Sequence, residues 1–259
     1  FPASAQKHKF IHYGMENGMS SNTIFKILQD KDGLMWFGTN DGLTRFDGTT
    51  LKTWRNTPSD SRSLGNNSIY SLKEDMNGTL YIGTENGLYA FDKNEELFTE
   101  ILTPKSLPEA EMNSLSNILV RSLDLDKKNR LWIATLGQGL LRYDIETGRL
   151  IRFSKGKDNE FGIDSDYITS VLCDGRGRTW CTNASQNIYL YDDDKNMFSR
   201  IHIYDERAKA EGNAAFSLCE DYQGNIWIGG WGNGLFRYDK TSGSFTNHRL
   251  TSDNGSKLY

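Results

Sequence analysis

Three consecutive carboxylates, Asp192-Asp193-Asp194, are the first residues of this sequence whose types and spacing could do chemistry, because together they could hold a cation. No ligand series and no downstream Glu at the spacing of a calcium loop follows, so the run reads as a solvated turn between a third and a fourth strand. Gly229-Gly230-Trp231-Gly232-Asn233-Gly234 could cradle a phosphate. A phosphate cradle needs a helix N-terminus behind it; the strand-like LFRYD follows instead, and the loop reads as a hairpin turn. His8, His12, His202 and His248 are scattered without a zinc spacing. Cys173, Cys181 and Cys219 are odd in number and sit among apolar neighbours, as small buried hydrophobes of inner strands without a disulfide framework. These groups predict no catalytic residue, no metal and no cofactor.

The residues that recur in a fixed order point to architecture. DKDGLMWFGTNDGLTRFD, starting at Asp30, returns four times, led by Asp75, Asp126, Asp174 and Asp221 at intervals of 45, 51, 48 and 47 residues. From the leading Asp to an aromatic (Trp36, Tyr81, Trp132, Trp180, Trp227) is always six residues. From the loop Gly or Asn (Gly42, Gly87, Gly139, Asn187, Gly234) to the closing Asp is always five. Length variation is confined to loops, as in a repeat array. In Asp-x-x-Gly the carboxylate can accept backbone N–H bonds and the Gly can take a positive φ; Asn129, which tolerates the left-handed conformation, replaces that Gly in the third unit. The aspartates are therefore read as structural. The five aromatics are read as packing between units and not as a sugar-stacking ladder.

Each repeat reads as four short strands, in the first unit 24–28, 34–39, 43–46 and 51–54. Second strands such as YIGT and LWIAT are apolar at consecutive positions, which means that both faces are covered. The expected fold class is all-β, a β-propeller with four-stranded antiparallel blades, with repeats near 24–68, 69–117, 118–167, 168–214 and 215–259. In residues 1–23, Phe10-Ile11-His12-Tyr13 reads as an orphan strand that latches the ring as the outer strand of the final blade. Phe1-Pro2-Ala3-Ser4-Ala5-Gln6 reads as the end of a cleaved secretory signal, the alternative being an arbitrary chain start.

Composition narrows the function classes. A chain with 37% hydrophobic residues, 25 Gly and only 4 Pro is folded and turn-rich. A net charge of -4, from 30 Lys+Arg against 34 Asp+Glu, gives no basic surface for a phosphate backbone, so nucleic acid is excluded as a partner of this segment. No apolar run approaches the roughly 18 residues of a membrane span, so no membrane contact is expected within it. The signal-like first residues favour an exported, periplasmic location, as the ectodomain of an inner-membrane protein.

The preamble FIHYGMENGMSSNTIFKILQDKDGLMWFGTNDGLTRFDG, the D-x-x-G-x-[LIM]-W-[IF]-G-T core and the G-L-x-[RY]-[FY]-D closure resemble the two-component regulator propeller region of bacterial hybrid two-component sensors, notably those of gut Bacteroidetes. The resemblance runs over essentially the whole chain. It implies seven-bladed periplasmic propellers ahead of an immunoglobulin-like domain, a membrane helix and cytoplasmic kinase, receiver and DNA-binding parts, in proteins many of which sense oligosaccharides. It implies no enzyme activity for this segment. Five full repeats are present, so an incomplete ring is expected, with a second protomer or further C-terminal blades as partners of its two open flanks. The fourth unit departs from the pattern, with Thr182-Asn183 for Gly-Thr and Asn187 for Gly. Two enzyme types are alternatives. YDxxTG, as at 143–148, overlaps with the tryptophan-docking repeats of quinoprotein dehydrogenases, and the repeated Gly and Trp are similar to the virginiamycin B lyase propeller. Neither the calcium and quinone ligands of the first nor the clustered His and Glu of the second can be identified. A structural scaffold for protein-protein interaction is the remaining alternative.

A ligand is expected on the face where second-to-third-strand loops meet the long inter-blade connections near 55–68, 103–117, 154–166, 204–213 and 248–259, because that face is concave and free of repeat constraints. Asn40, Asp41, Asn86, Gln138, Gln186 and Asn233 would bond the hydroxyls of an oligosaccharide there. Trp231 and Tyr167 would offer apolar faces to its rings.

Overall fold

The computed structural model describes residues 10–104, 117–156, 162–185, 187–202, 215–230 and 234–248. Its strands form five antiparallel sheets, each made of four consecutive strands in chain order. In the first repeat they are β1 (Ile24–Gln29), β2 (Met35–Thr39), β3 (Gly42–Phe46) and β4 (Leu51–Trp54), within a residue of the sequence expectation. The expected all-β propeller blades are therefore the observed architecture. Second strands are covered on both faces: β6 (Leu80–Thr84) and β14 (Thr179–Asn183) are buried at every position.

The first strands of successive sheets, β1, β5 (Ile69–Glu74), β9 (Leu119–Leu125), β13 (Ile168–Cys173) and β17 (Ala215–Glu220), pack each on the next. Serines tie them together. Ser71 Oγ donates to Val120 O at 3.2 Å, Ser122 Oγ accepts from Val171 N at 3.3 Å, and Ser170 Oγ accepts from Leu218 N at 3.3 Å. The Gly of the second-strand Gly-Thr is required by the same approach, since a Cβ on Gly83 would lie 2.4 Å from Val120 Cγ1 of the next blade.

The core lies between blades. The repeat aromatic of one blade meets the residue before the closing Asp of the next: Trp36 with Phe91 at 5.7 Å, Trp132 with Tyr191 at 4.8 Å and Trp180 with Tyr238 at 5.2 Å between ring centroids. Trp36, Trp132 and Trp180 are fully buried, as expected for inter-blade packing.

Two expectations are corrected. Phe10-Ile11-His12-Tyr13 forms no strand; Phe10 and Ile11 are exposed, and the Tyr13 ring rests 5.0 Å from Phe46 of the first blade. Each of the five described sheets is made of its own four consecutive strands, the last ending in β20 (Phe245–His248), so none of them takes this segment as its outer strand. The cysteines are also not uniformly buried. Cys181 is buried, Cys173 half-buried and Cys219 exposed, because β17 belongs to a terminal sheet whose Phe216 and Leu235 are likewise exposed.

Candidate functional site

The second-to-third-strand hairpins are fixed by the Thr that ends each second strand. Thr39 Oγ1 donates to Gly42 O at 2.9 Å and accepts from Asp41 N at 2.9 Å; Thr84 does the same for Gly87 and Asn86, and Thr135 of β10 (Arg130–Leu136) for Gly139 and Gln138. The Gly that follows has positive φ and lies against the fourth strand: a Cβ on Gly87 would stand 2.3 Å from Leu102 O. Each such Gly also binds the inter-blade connection, as in Gly42 N to Asn67 O at 2.8 Å, Gly87 N to Ile118 O at 2.8 Å and Gly139 N to Asp166 O at 2.8 Å. Hairpins and connections therefore share one face, as the strand order requires.

On that face the structure places five of the eight expected ligand residues. Asn40 is exposed at the first hairpin. Asp41 is paired with Arg55 at 3.0 Å through Oδ2 and stays half-exposed. Asn86 Oδ1 is buried without a partner. Gln138 is 1% exposed, and neither its Oε1 nor its Nε2 has a hydrogen bond. Tyr167 is exposed and bridges backbone to Leu136. Asp41, Asn86 and Gln138 occupy matching places on three successive blades, and no hydrogen bond joins one to another among the described residues. Gln186, Trp231 and Asn233 lie outside the described residues.

Sequence reasoning missed a polar network on the fourth blade. Asp164, from the connection before β13, receives Asn183 Nδ2 at 3.0 Å and the Tyr189 hydroxyl on Oδ1, and Asn187 Nδ2 at 3.0 Å and Arg200 Nη1 at 3.1 Å on Oδ2. Burial first, and then Asp164, pushes the Tyr189 hydroxyl well above the usual tyrosine value, so it stays a neutral donor. The carboxylate is saturated, which makes it a pin for the connection and not an open ligand site. The departures at Asn183 and Asn187 were the available signal.

The opposite face carries the leading aspartates. Trp36, Trp132, Trp180 and Trp227 donate their indole N–H to Asp30, Asp126, Asp174 and Asp221 at 2.8, 2.8, 2.9 and 2.8 Å, while Tyr81 OH is 3.5 Å from Asp75. The six-residue spacing is thus a clamp across the first hairpin. Burial works to raise the carboxyls of Asp30, Asp174 and Asp221, but indole, side-chain and backbone donors outweigh it, and all three lie below the usual value, Asp221 at about 2. A depressed folded-state pKa stabilises the fold above the unfolded value and is lost as pH falls through the folded one. Stability is therefore expected to decline as pH drops from about 4 toward about 2. Urea midpoints unchanged across that window would contradict the clamp's electrostatics.

Near Asp30, the carboxylates of Asp32 and Glu74 come close enough to hold a metal. The Lys93 ammonium fills that place at 3.0, 2.8 and 2.7 Å from Asp30, Asp32 and Glu74. The acidic run at 192–194 closes a third-to-fourth-strand turn, as expected. Asp192 caps the backbone N–H groups of Asp194 and Lys195 at 3.1 Å, and Asp193 binds Arg130 at 2.8 Å on the third blade. An open cleft of about 380 Å³ between the first hairpins of blades four and five is lined by Arg176, Glu220, Tyr222, Gln223 and Lys240. No helix among the described residues is long and apolar enough to cross a membrane.

The profile of the two-component regulator propeller matches residues 18–41, 63–86 and 211–232. A 48-residue stretch is 50% identical to histidine kinase P4 of Formosa agariphila, covering 18% of this chain and 4% of that protein. Among solved structures, an extracellular domain assigned to a hybrid two-component system of B. thetaiotaomicron superposes with a TM-score of 0.70 at 24% identity, over 89% of this chain and 28% of that one. A second such domain from that organism gives 0.58 at 18%, over 96% and 37%. A virginiamycin B lyase of Staphylococcus aureus, solved with quinupristin, gives 0.66 at 14%, over 90% and 71%. At these identities the structural likeness shows the fold. The chain spans well under half of the two-component relatives it matches. The profile thus marks three stretches of this chain, in its first, second and fifth blades, as similar to two-component regulator propeller repeats, and the five four-stranded sheets carry the propeller blade architecture throughout the described residues.

Proposed function

We propose that this chain is an extracytoplasmic, periplasmic sensor module of a hybrid two-component system, binding a glycan-derived oligosaccharide and regulating a downstream histidine kinase through a phosphorelay. The kinase association is supported by the regulator-propeller repeats and by the stretch resembling a histidine kinase. The ligand face is supported above all by Gln138. A buried amide with neither atom paired costs stability, and a sugar hydroxyl, both donor and acceptor, could satisfy both atoms. His12 is paired with exposed Glu16 at 3.1 Å, and His202 and His248 stand on the outer strands of two different blades, His248 with its ring 5.1 Å from Trp227. No His–Glu cluster of the kind the lyase reading needs is formed by His12 and His248, which lie in different parts of the chain.

The test is a thermal-shift screen of the complete ectodomain against an oligosaccharide panel, run on the parent and on Gln138→Leu. Removing the unpaired amide is expected to raise the melting temperature of the free protein, by about 1–3 kcal/mol of stability. It is also expected to abolish the ligand-induced shift. A panel that leaves the parent's melting temperature unmoved would overturn saccharide sensing, and a Gln138→Leu protein that still responds fully would remove this face.

A further inference from the structure

The first strand of every blade is interrupted at the same place. In β1 the register slips between Ile24 and Lys26, and the equivalent slips fall between Ile69 and Ser71, Val120 and Ser122, Ile168 and Ser170, and Ala215 and Ser217. Each β-bulge extrudes one residue: Phe25, Tyr70, Arg121, Thr169 and Phe216. A bulge re-aims a side chain without disturbing the rest of the sheet. It lies opposite the end of the second strand (Thr39, Thr84 and Thr135 in the first three blades), hence at the hairpin-bearing end of the sheets. Because the first strands pack on one another from blade to blade, the extruded residues follow each other along the inner rim.

On the first three blades they make contact. The Phe25 ring stacks on Tyr70 at 4.7 Å with 24° between planes, and the Arg121 guanidinium lies over the Tyr70 ring, 5.9 Å from its centroid. Phe25 remains 40% exposed. Arg121 is half-buried and forms no ion pair among the described residues, although its strand also carries Asp124, which is taken by Lys73. Thr169 instead turns back onto its own sheet, bonding Thr182. The row is thus an aromatic platform ending in an uncompensated cation, and the repeat requires neither.

We propose that Phe25, Tyr70 and Arg121 form a subsite for an anionic saccharide that lies alongside the row, one ring against the exposed edge of Phe25 and the carboxylate or sulfate of the neighbouring ring, alongside Tyr70, bound by Arg121. This rests on the reading of the chain as a saccharide sensor and gives it a ligand class. An apolar sugar face suits an aromatic ring, and a guanidinium binds an oxyanion through paired N–H donors.

Calorimetry on the full chain tests it with two anionic probes, digalacturonate and lactose 6-sulfate, against the neutral digalacturonate methyl ester and lactose. At least one anion is expected to bind about 10- to 100-fold more tightly than its neutral counterpart. Arg121→Gln should bring it down to the neutral level while leaving the neutral probe unchanged, and Arg121→Lys should keep part of the preference. Phe25→Ala should weaken anion and neutral probe alike. Neutral sugars binding as well as the anions, or an anion preference that survives Arg121→Gln, would overturn the subsite and leave saccharide sensing standing. No binding by any of the four probes would overturn the subsite, and saccharide sensing would then stand or fall on the broader panel.

Discussion

Replacing Trp132 by Ala is expected to lower the unfolding free energy by about 3–5 kcal/mol, read as a shift of the urea midpoint. The indole is fully buried between blades three and four, with Phe153 at 5.6 Å, Tyr191 at 4.8 Å and Phe198 at 6.0 Å. Its loss opens a cavity among residues from two sheets that cannot collapse independently. It also removes the indole donor from Asp126 and the ring under Arg142, whose guanidinium lies 5.5 Å from it. Tyr222→Ala is the matched control, because that ring is 96% exposed. A Trp132→Ala protein that unfolds at the parent's midpoint would refute the inter-blade core.

The second large effect is expected at Asp174. Its carboxylate accepts from Arg176 N at 3.0 Å, Arg178 N at 2.8 Å, Arg178 Nε at 2.7 Å and Trp180 Nε1 at 2.9 Å while almost fully buried. Asp174→Ala leaves these donors without a partner and is expected to cost about 3–5 kcal/mol, the range for breaking a buried charged pair from one side. A double-mutant cycle with Trp180→Phe should give a coupling of about 1–3 kcal/mol. The cycle Asp75→Ala with Tyr81→Phe should give clearly less, because that contact is 3.5 Å long. Equal couplings in the two blades would mean that the hydrogen bond adds nothing to packing.

The blades were legible in the sequence because their determinants are short-range. Asp and Trp six residues apart span one hairpin, and the Thr that pins the next hairpin lies three or four residues from its Gly. The Asp164 network was not legible, since it joins a connection of variable length to β14, β15 (Asn187–Asp192) and β16 (Met197–His202) with no repeated spacing. The strand expected at Phe10-Ile11-His12-Tyr13 failed for a related reason: pairing depends on a distant edge, which a local pattern cannot supply. At the ligand face the polar character of Asn86 and Gln138 was legible, but not that Arg55 would claim Asp41. The bulge residues also escaped notice, because Phe25, Tyr70, Arg121, Thr169 and Phe216 share a position and not a residue type.

The division of labour between the aspartate clamps and the serine ties bears on how such chains change over time. Every clamp closes within its own blade, whereas the ties from Ser71, Ser122 and Ser170 end on main-chain atoms of the following blade. Main-chain atoms are the same whatever blade supplies them, and the aromatic contacts across the junctions at Trp36, Trp132 and Trp180 use positions that every unit possesses. A duplicated or deleted unit therefore arrives with its own lock and meets a standard socket on either side. Blade number in this architecture can drift by whole units with few compensating substitutions next door, chiefly at the ion pairs that Lys93 and Arg130 make across their junctions, leaving the closure geometry of the ring as the main check on it.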